Sequence, residues 1–479
     1  MRNAECQSEG RSASDISRQF HTPHSAFRIP GGAVTAWDSQ SVAAALGVSA
    51  PARLRFSGVT TDTRSLRPGS LFLALQGERF DAHDFLADAR TKGAAAAVVR
   101  HGTPRVDGLP VFEVVDTLAA LGLLARARRR RLPAASPVVA ITGSSGKTSA
   151  KEMIRAVLAT RYRVHATSGN LNNLVGVPLT ILGAPDDAEA LVVEAGASVP
   201  GEIARLRDVI EPTIAAITNV GYAHVEGFGS LEGVLREKLA LVPGAGVAVV
   251  GTDPPALARE ARRLTRTVVA GTGSGADVHP DAAELDDAGH PRITWAGRSV
   301  TVPVLGFHQI ENAMLALAVG REAGADPARA VPGLAAVQLP GGRGTVIERG
   351  GLTILDDTYN ANPASLAWAV KFAHWLAGRR RRPLAVVVGS MLELGGESDR
   401  LHAAAAREIA EVEPALVAAV GAFVPAFEPL RGALGGRLVT APDVAALGPK
   451  LKAALKGDEI VLLKASRGVA LEQVLRQLT

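Results

Sequence analysis

Through the middle and last parts of the chain one pattern recurs: a short apolar run rich in β-branched residues, then a longer stretch with apolar positions at helical spacing. The runs at residues 138–142, 191–193, 214–218, 353–355, 384–388, 417–420 and 460–463 have the length and composition of buried strands. Between them, residues 151–162 set Met153, Ile154, Val157 and Leu158 on one helical face, and residues 364–376 read as another helix. This alternation predicts an α/β fold with largely parallel sheets. Ligands of such sheets sit beyond the carboxyl ends of the strands, so the residues that follow each strand carry the functional information.

Two breaks divide the pattern. At residues 128–136, RRRRLPAAS joins a charge run to a proline just ahead of an apolar strand, as at a helix end followed by a linker. At residues 339–344, LPGGRG is too glycine-rich for a helix or strand interior. The expected segments are therefore 30–132, 133–338 and 339–479. The arginine runs at 128–131 and 379–382 are expected to be solvated helix ends, where cations complement the helix dipole, rather than a patch for RNA or a membrane. Residues 1–29 lack the central apolar block of a secretory signal and read as a flexible extension outside the fold.

Composition narrows the class. With 479 residues, and roughly 150 per domain as a guide, about three domains are expected. Hydrophobic residues at 47% and charged residues at 21% exclude extended disorder for most of the chain. Lys and Arg number 52 against 47 Asp and Glu, an excess too small to imply a nucleic-acid partner despite a pI near 9.5. Cys6 is the only cysteine, which excludes an intrachain disulfide and any cysteine-based zinc or iron–sulfur site. No uncharged apolar run reaches the roughly 18 residues of a membrane span, so a cytoplasmic protein is expected.

The sharpest chemical signal follows the strand VVAIT. Thr142, Gly143, Ser144, Ser145, Gly146, Lys147, Thr148 and Ser149 form a glycine loop that opens a helix. Glycines let backbone N–H groups turn inward around phosphate oxygens, and the helix N-terminus adds partial positive charge. Lys147 can then reach the terminal phosphates and Thr148 can hold Mg²⁺. The usual P-loop pattern would place a glycine at Ile141, so the loop here is the shortened TGxxGKT. It predicts a nucleoside triphosphate site, with ATP and Mg²⁺ as cofactors.

With that loop, the stretches SGNLNNLVGVPLTIL at 168–182 and DDTYNANPAS at 356–365 resemble the Mur ligases, the ATP-dependent amide-bond-forming enzymes of peptidoglycan synthesis. The likeness covers about residues 30–479. It implies an N-terminal α/β domain for a UDP-linked substrate (30–132), a central P-loop-type parallel-sheet ATPase domain (133–338) and a C-terminal Rossmann-like ligase domain (339–479). Within the family the two stretches match the branch that adds D-alanyl-D-alanine to UDP-N-acetylmuramoyl-tripeptide through an acyl phosphate. Such an enzyme is expected to be a monomer that closes.

Residue by residue, the resemblance implies phosphate and metal contacts at Lys147 and Thr148 and a metal-ligating Glu194 in LVVEAGAS. It further implies a histidine near a second metal, His224, and a carbamylated Lys238 in LREKLALV. Asn312 in GFHQIENAM matches an adenine-side position, with Gln309 where asparagine is expected, and Arg343 and Asp357 match nucleotide contacts. In VGSMLELGGES, Ser390 replaces an aspartate. Asp62, Thr63 and Arg64 match the uridine-side segment, with Ala82 where glycine is usual. Asn170, Asn172, Asn173, Tyr359, Asn360 and Asn362 are candidate substrate contacts.

These residue types suit the chemistry. Joining a carboxylate to an amine requires the carboxylate to be activated, and phosphorylation by ATP brings two anions together. A lysine, a helix N-terminus and divalent cations offset that repulsion. Oxygen ligands such as Glu194 and Thr148 are what Mg²⁺ prefers. On the residues alone, Glu194 could instead cap a helix, His224 could be a structural hydrogen-bonder, Lys238 a surface lysine and the asparagines turn formers. Three readings stay open: the D-alanyl-D-alanine-adding ligase, another Mur or folylpolyglutamate-synthase-like ligase, and a non-catalytic nucleotide-binding scaffold supported only by Ser390 and Gln309.

Overall fold

The computed structural model describes residues 37–77 and 80–478, so the extension expected over residues 1–29 lies outside the described residues. The chain divides into two compact units, one of residues up to Arg131 together with 174–186, the other of residues 132–173 and 187 onward. Together they hold the three domains of a mixed α/β fold with mainly parallel sheets. Among the described residues no helix is long and apolar enough to cross a membrane.

The first unit is built on a four-stranded parallel sheet in the order Val59–Thr60, Leu71–Leu73, Ala96–Arg100, Val111–Val114. Phe72, Leu86, Ala97 and Val99 are among the residues of its core. The helix Thr117–Arg129 packs against the helix Gly176–Leu182, which sequence position alone would have left with the central segment. Here the first arginine run departs from expectation. Arg128 is only 3% exposed, and its Nη2 donates to the carbonyls of Ala184 (2.8 Å) and Pro185 (3.1 Å) and to Asp186 Oδ1 (3.2 Å). Carbonyls that follow a helix lack partners of their own, and a buried guanidinium supplies several donors at once.

The second unit carries two six-stranded sheets. The first is wholly parallel, in the order Thr267–Val269, Val247–Val250, Ile214–Ile217, Val138–Thr142, Ala190–Glu194, Val164–Ala166. Met153, Ile154 and Val157 of the helix Lys147–Leu158 share a core with Met314 and Leu317 of the helix His308–Glu322. The second sheet runs Thr345–Arg349, Leu352–Asp357, Ile460–Lys464, Leu384–Val388, Leu416–Val420, Leu438–Ala441, antiparallel only at its first pair.

Every apolar run named from the sequence is a strand, but three continue past the apolar residues into charge: Ala190–Glu194, Leu352–Asp357 and Ile460–Lys464. Backbone pairing to neighbouring strands carries each one on, so Glu194, Asp357 and Lys464 are delivered at carboxyl ends of strands. The helix expected from residue 151 begins at Lys147, because the phosphate loop turns directly into its first turn. The second arginine run is also more engaged than a solvated end. Arg379 binds Asp287 at 2.6 Å, while Arg382 donates to the Thr353 hydroxyl (2.7 Å) and to the carbonyls of Asp458 (2.6 Å) and Glu459 (3.0 Å).

Candidate active site

The phosphate loop owes its course to two glycines. Gly143 has φ of 148° and Gly146 φ of 77°, conformations that side chains disfavour. A Cβ on Gly143 would lie 1.9 Å from Thr218 Oγ1, and one on Gly146 would lie 2.7 Å from Asn312 Oδ1. The adjoining strand end supports the loop. Thr218 Oγ1 donates to the Ser145 carbonyl at 2.6 Å, Asn219 Oδ1 accepts from Ser145 N at 3.0 Å, and Ser144 Oγ donates to the Gly221 carbonyl at 3.0 Å. Thr142 ends the strand with its hydroxyl buried and without a partner, and Ser149 is buried in the helix's first turn.

Lys147 opens the helix, and its Nζ donates to the Gly143 carbonyl at 2.8 Å. Burial lowers its pKa and the Arg343 guanidinium adds to that, while the carboxylates of Glu194 and Glu393 oppose it. One residue on, Thr148 Oγ1 donates to Glu194 Oε2 at 3.0 Å. Asn172 Nδ2 holds the other carboxylate oxygen, Oε1, at 3.0 Å, and Glu194 N donates to Thr167 Oγ1 at 2.9 Å. Glu194 is thus 2% exposed yet fully engaged, as a buried carboxylate must be. It is a strand-end group facing the loop and not a helix cap. Asn170 and Asn173 flank Asn172 in the same turn, where the Asn170 carbonyl accepts from Asn172 N at 2.8 Å.

Lys238 is 1% exposed on the helix Leu231–Leu239, so it is no surface lysine. Burial and the nearby Lys147 bring its pKa down to about 7, against the pull of Glu237 and Glu202. Its Nζ sits 5.4 Å from the centre of the Phe228 ring. His224 takes a left-handed backbone (φ 56°) just before the helix Val225–Phe228, and its Nδ1 pairs with Glu393. The Glu393 carboxyl is held below its usual range by that hydrogen bond, which outweighs its burial.

The C-terminal sheet closes the other side of this unit's site. Arg343 lies with its guanidinium 3.7 Å over the Tyr359 ring, and its Nε is buried without a partner. Asp357 Oδ2 accepts from Lys464 Nζ at 2.6 Å. Asn360 Oδ1 accepts from Ala361 N at 2.9 Å. Asn362 caps the helix Pro363–Arg380 in a reciprocal box with Ser365, and its Nδ2 also donates to the Ser144 carbonyl at 3.2 Å, so this cap touches the phosphate loop. Asn312 Nδ2 donates to Gln309 Oε1 at 2.9 Å, and Gln309 Nε2 lies 3.0 Å from His308 Nε2, so the glutamine's amide is occupied within its own helix. Ser390 Oγ accepts from Ala422 N at 2.9 Å, a structural bond between strand ends.

The structure therefore gathers Thr142 to Ser149, Asn172, Glu194, His224, Lys238, Asn312, Arg343, Asp357, Tyr359 and Asn362 within one unit. Asp62, Thr63 and Arg64 belong to the first unit. There Arg64 clamps Asp62 through Nε (2.9 Å) and Nη2 (2.6 Å), a bond that lowers the Asp62 pKa. Sequence reasoning missed Lys464 and Glu393. A lysine directly after an apolar strand run was the available signal for the first; the second lay unremarked inside MLELGG.

Fold and loop together define a three-domain α/β protein with a P-loop-type site. The Mur ligase family catalytic domain model matches residues 55–129, the Mur ligase middle domain model residues 141–320, and the Mur ligase glutamate ligase domain model residues 342–467. The chain belongs to the Mur ligase family. It is similar to the UDP-N-acetylmuramoyl-tripeptide–D-alanyl-D-alanine ligase of Bacillus subtilis, with 36% identity over 88% of this chain and 93% of the relative. The enzyme of the same description from Escherichia coli is 37% identical over 89% and 94%. Among solved structures, MurF from Acinetobacter baumannii superposes with a TM-score of 0.84 at 31% identity, covering 93% of this chain and 99% of that one. MurF ligase from Thermotoga maritima in complex with ADP gives 0.75 at 30% identity, covering 88% and 96%.

Proposed function

We propose that this chain joins D-alanyl-D-alanine to UDP-N-acetylmuramoyl-tripeptide at the expense of ATP, in the synthesis of peptidoglycan precursors. Its ligase relatives over nearly full length support the reaction. The observation that carries the chemistry is the convergence of Lys147, Thr148, Glu194 and Arg343, two strand ends and a helix N-terminus meeting a cation from the C-terminal domain. In this reading the tripeptide carboxylate attacks the terminal phosphorus of ATP and ADP leaves. The amine of D-alanyl-D-alanine then attacks the acyl carbon and phosphate departs. Lys147 and the loop N–H groups stabilise the charge spread over the transferring phosphoryl group, and Arg343 with Asp357 orients the nucleotide from the other domain.

The oxygen pair of Thr148 and Glu194, 3.0 Å apart, fits Mg²⁺ as one side of a coordination shell. Among the described residues no group of three or more His, Cys, Asp or Glu gathers to hold an ion unaided, which suits an ion shared with phosphate oxygens. When bound, Mg²⁺ supplies neutralisation of phosphate charge. Lys238, once carbamylated, and His224 would hold a second ion. A pKa near 7 favours carbamylation because it leaves a neutral amine to react with CO₂, and Glu393 orients the imidazole from Nδ1.

On the same reading the first domain holds the UDP-linked substrate through Asp62, Thr63 and Arg64, with Asn170, Asn172, Asn173, Tyr359, Asn360 and Asn362 serving the peptide and acceptor. The enzyme works as a cytoplasmic monomer. The test is phosphate release from ATP with each substrate pair in turn. Turnover should require both UDP-N-acetylmuramoyl-tripeptide and D-alanyl-D-alanine; turnover on a folate with glutamate instead would overturn the assignment.

A further inference from the structure

The strand Ile460–Lys464 ends in Lys464 and is followed by Ala465 and Ser466, and both polar residues of this segment turn away from solvent: Lys464 is 2% exposed and Ser466 4%. Lys464 Nζ donates to Asp357 Oδ2 at 2.6 Å and to the Asn360 carbonyl at 2.9 Å. Two residues on, Ser466 Oγ donates to the Ala361 carbonyl at 3.1 Å and accepts from Leu392 N at 2.9 Å, while Ser466 N donates to the Ser390 carbonyl at 3.1 Å. The loop from Asp357 to Asn362 and the loop from Ser390 to Glu393 therefore have no need to bond to each other. They are both fastened to one short segment.

Both loops lie where the C-terminal domain meets the middle domain. Asn362 Nδ2 reaches the Ser144 carbonyl of the phosphate loop, and Glu393 reaches His224 through its carboxylate and Glu226 N through its carbonyl at 3.2 Å. We propose that Lys464 and Ser466 are positioning residues for the nucleotide: Lys464 fixes the Asp357 carboxylate and the course of the following loop, and Ser466 locks that loop to the one bearing Glu393. Neither touches the reacting atoms. Lys464 acts through Asp357, because an ammonium on Oδ2 leaves Oδ1 as the free acceptor and sets its direction. Ser466 acts by holding two backbone segments in one register. The proposal rests on the nucleotide assignment made above for Asp357.

The test uses the full chain, with Lys464→Met, Asp357→Asn, their double variant, Ser466→Ala and Ser466→Thr. Folding is checked by circular dichroism and thermal melting. ATP binding in magnesium chloride is measured by calorimetry, and KM for ATP and for the UDP-substrate is measured separately. Lys464→Met should raise the Kd and KM for ATP about tenfold, with kcat and the UDP-substrate KM changed less than about twofold. The double variant should bind ATP no worse than Asp357→Asn alone, since Lys464 works through that carboxylate. Ser466→Ala should raise the ATP constants about threefold, and Ser466→Thr, which keeps the hydroxyl, should restore them. Unchanged ATP constants in folded Lys464→Met, additive losses in the double variant, or equal losses across all substrates would overturn the proposal. If Lys464→Met does not fold, Ser466→Ala decides alone, and wild-type ATP constants in it overturn the idea. Calorimetry needs no turnover, so a wild-type chain that binds ATP without ligating this substrate pair refutes the proposed reaction and leaves the positioning role standing.

Discussion

The two halves of the site are assembled in different ways. On the middle domain, the phosphate loop, Lys147 and Thr148 come from one continuous strand, turn and helix, with Glu194 one strand over. On the C-terminal domain, Arg343, Asp357, Asn362 and Glu393 come from separated segments, and buried polar residues of a further strand end fasten two of those segments together. A site built in a single turn concentrates its chemistry in one or two side chains. A site stitched from several loops spreads its contribution over geometry. The first should fail in turnover when one residue is lost, whereas the second should fail in affinity.

Lys147→Ala tests the first half most severely. Its ammonium lies at the start of the helix beside the loop, so its loss should cost at least about 3 kcal/mol of transition-state stabilisation, roughly a hundredfold in rate. Removing a half-buried cation whose protonation is already opposed by desolvation should leave the melting temperature unaffected or slightly raised. A normally melting variant with near wild-type turnover would erase the distinction between the halves. Next in size, Lys238→Ala should lower activity more than about tenfold, with partial rescue by acetate. Lys238→Arg should be inactive and stay so, because on the proposed carbamate reading a permanent cation would fill the place of an anionic oxygen. Full activity in Lys238→Ala would remove this lysine from the chemistry.

A smaller effect separates capping from contact at Asn362. Asn362→Ala should lower stability by about 1 kcal/mol in chemical denaturation, because the helix Pro363–Arg380 loses its N-cap. Asn362→Asp keeps an acceptor for the cap but faces the Ser144 carbonyl with no donor, so it should spare stability and weaken ATP binding. Equal behaviour of the two variants would show that the interdomain bond contributes nothing.

A further effect depends on pH. His308, at the start of the helix His308–Glu322, is held down to about 4 by burial, and Lys464 adds to this while Asp357 opposes it. Trp368 and Gln309 are its other neighbours. An unfolded chain takes up this proton near pH 6.5, whereas the folded chain resists it until about pH 4. Stability is therefore unaffected by this group above pH 6.5 and falls as pH drops from 6.5 towards 4. In His308→Gln that part of the acid sensitivity should vanish from denaturation midpoints measured across the window; an unchanged slope would show that the imidazole takes up its proton equally in both states.

The same contrast explains what could be read from the chain. The phosphate loop was legible because its constraints are local: strand, glycines, Lys-Thr pair and helix stand in consecutive residues. The strand cores were legible too, yet their ends were not. Periodicity stops at the last apolar residue, while hydrogen bonding to neighbours carries Ala190–Glu194 on to Glu194 and Ile460–Lys464 on to Lys464. Arg128 misled for a related reason. Its partners Ala184 to Asp186 lie far along the chain, and nothing local announces that carbonyls are waiting there. The resemblance pointed to Glu194, Asp357 and Lys238 before any coordinates, but which lysine would steady Asp357 required the three-dimensional arrangement.

The two loop glycines forecast different genetics. Both positions strain any side chain through a positive φ. At position 143 a Cβ would also meet Thr218 Oγ1 at 1.9 Å and the Asn219 carbonyl oxygen at 3.2 Å, and the second of these is backbone that no second-site change removes. At position 146 every close contact is with the tip of Asn312, the nearest at 2.7 Å, on a side chain that can be shortened, which leaves only the φ strain. A screen for restored activity in Gly146→Ala should accordingly return Asn312→Ser or a similar truncation as a partial suppressor alongside true reversion, while Gly143→Ala should return true reversions only.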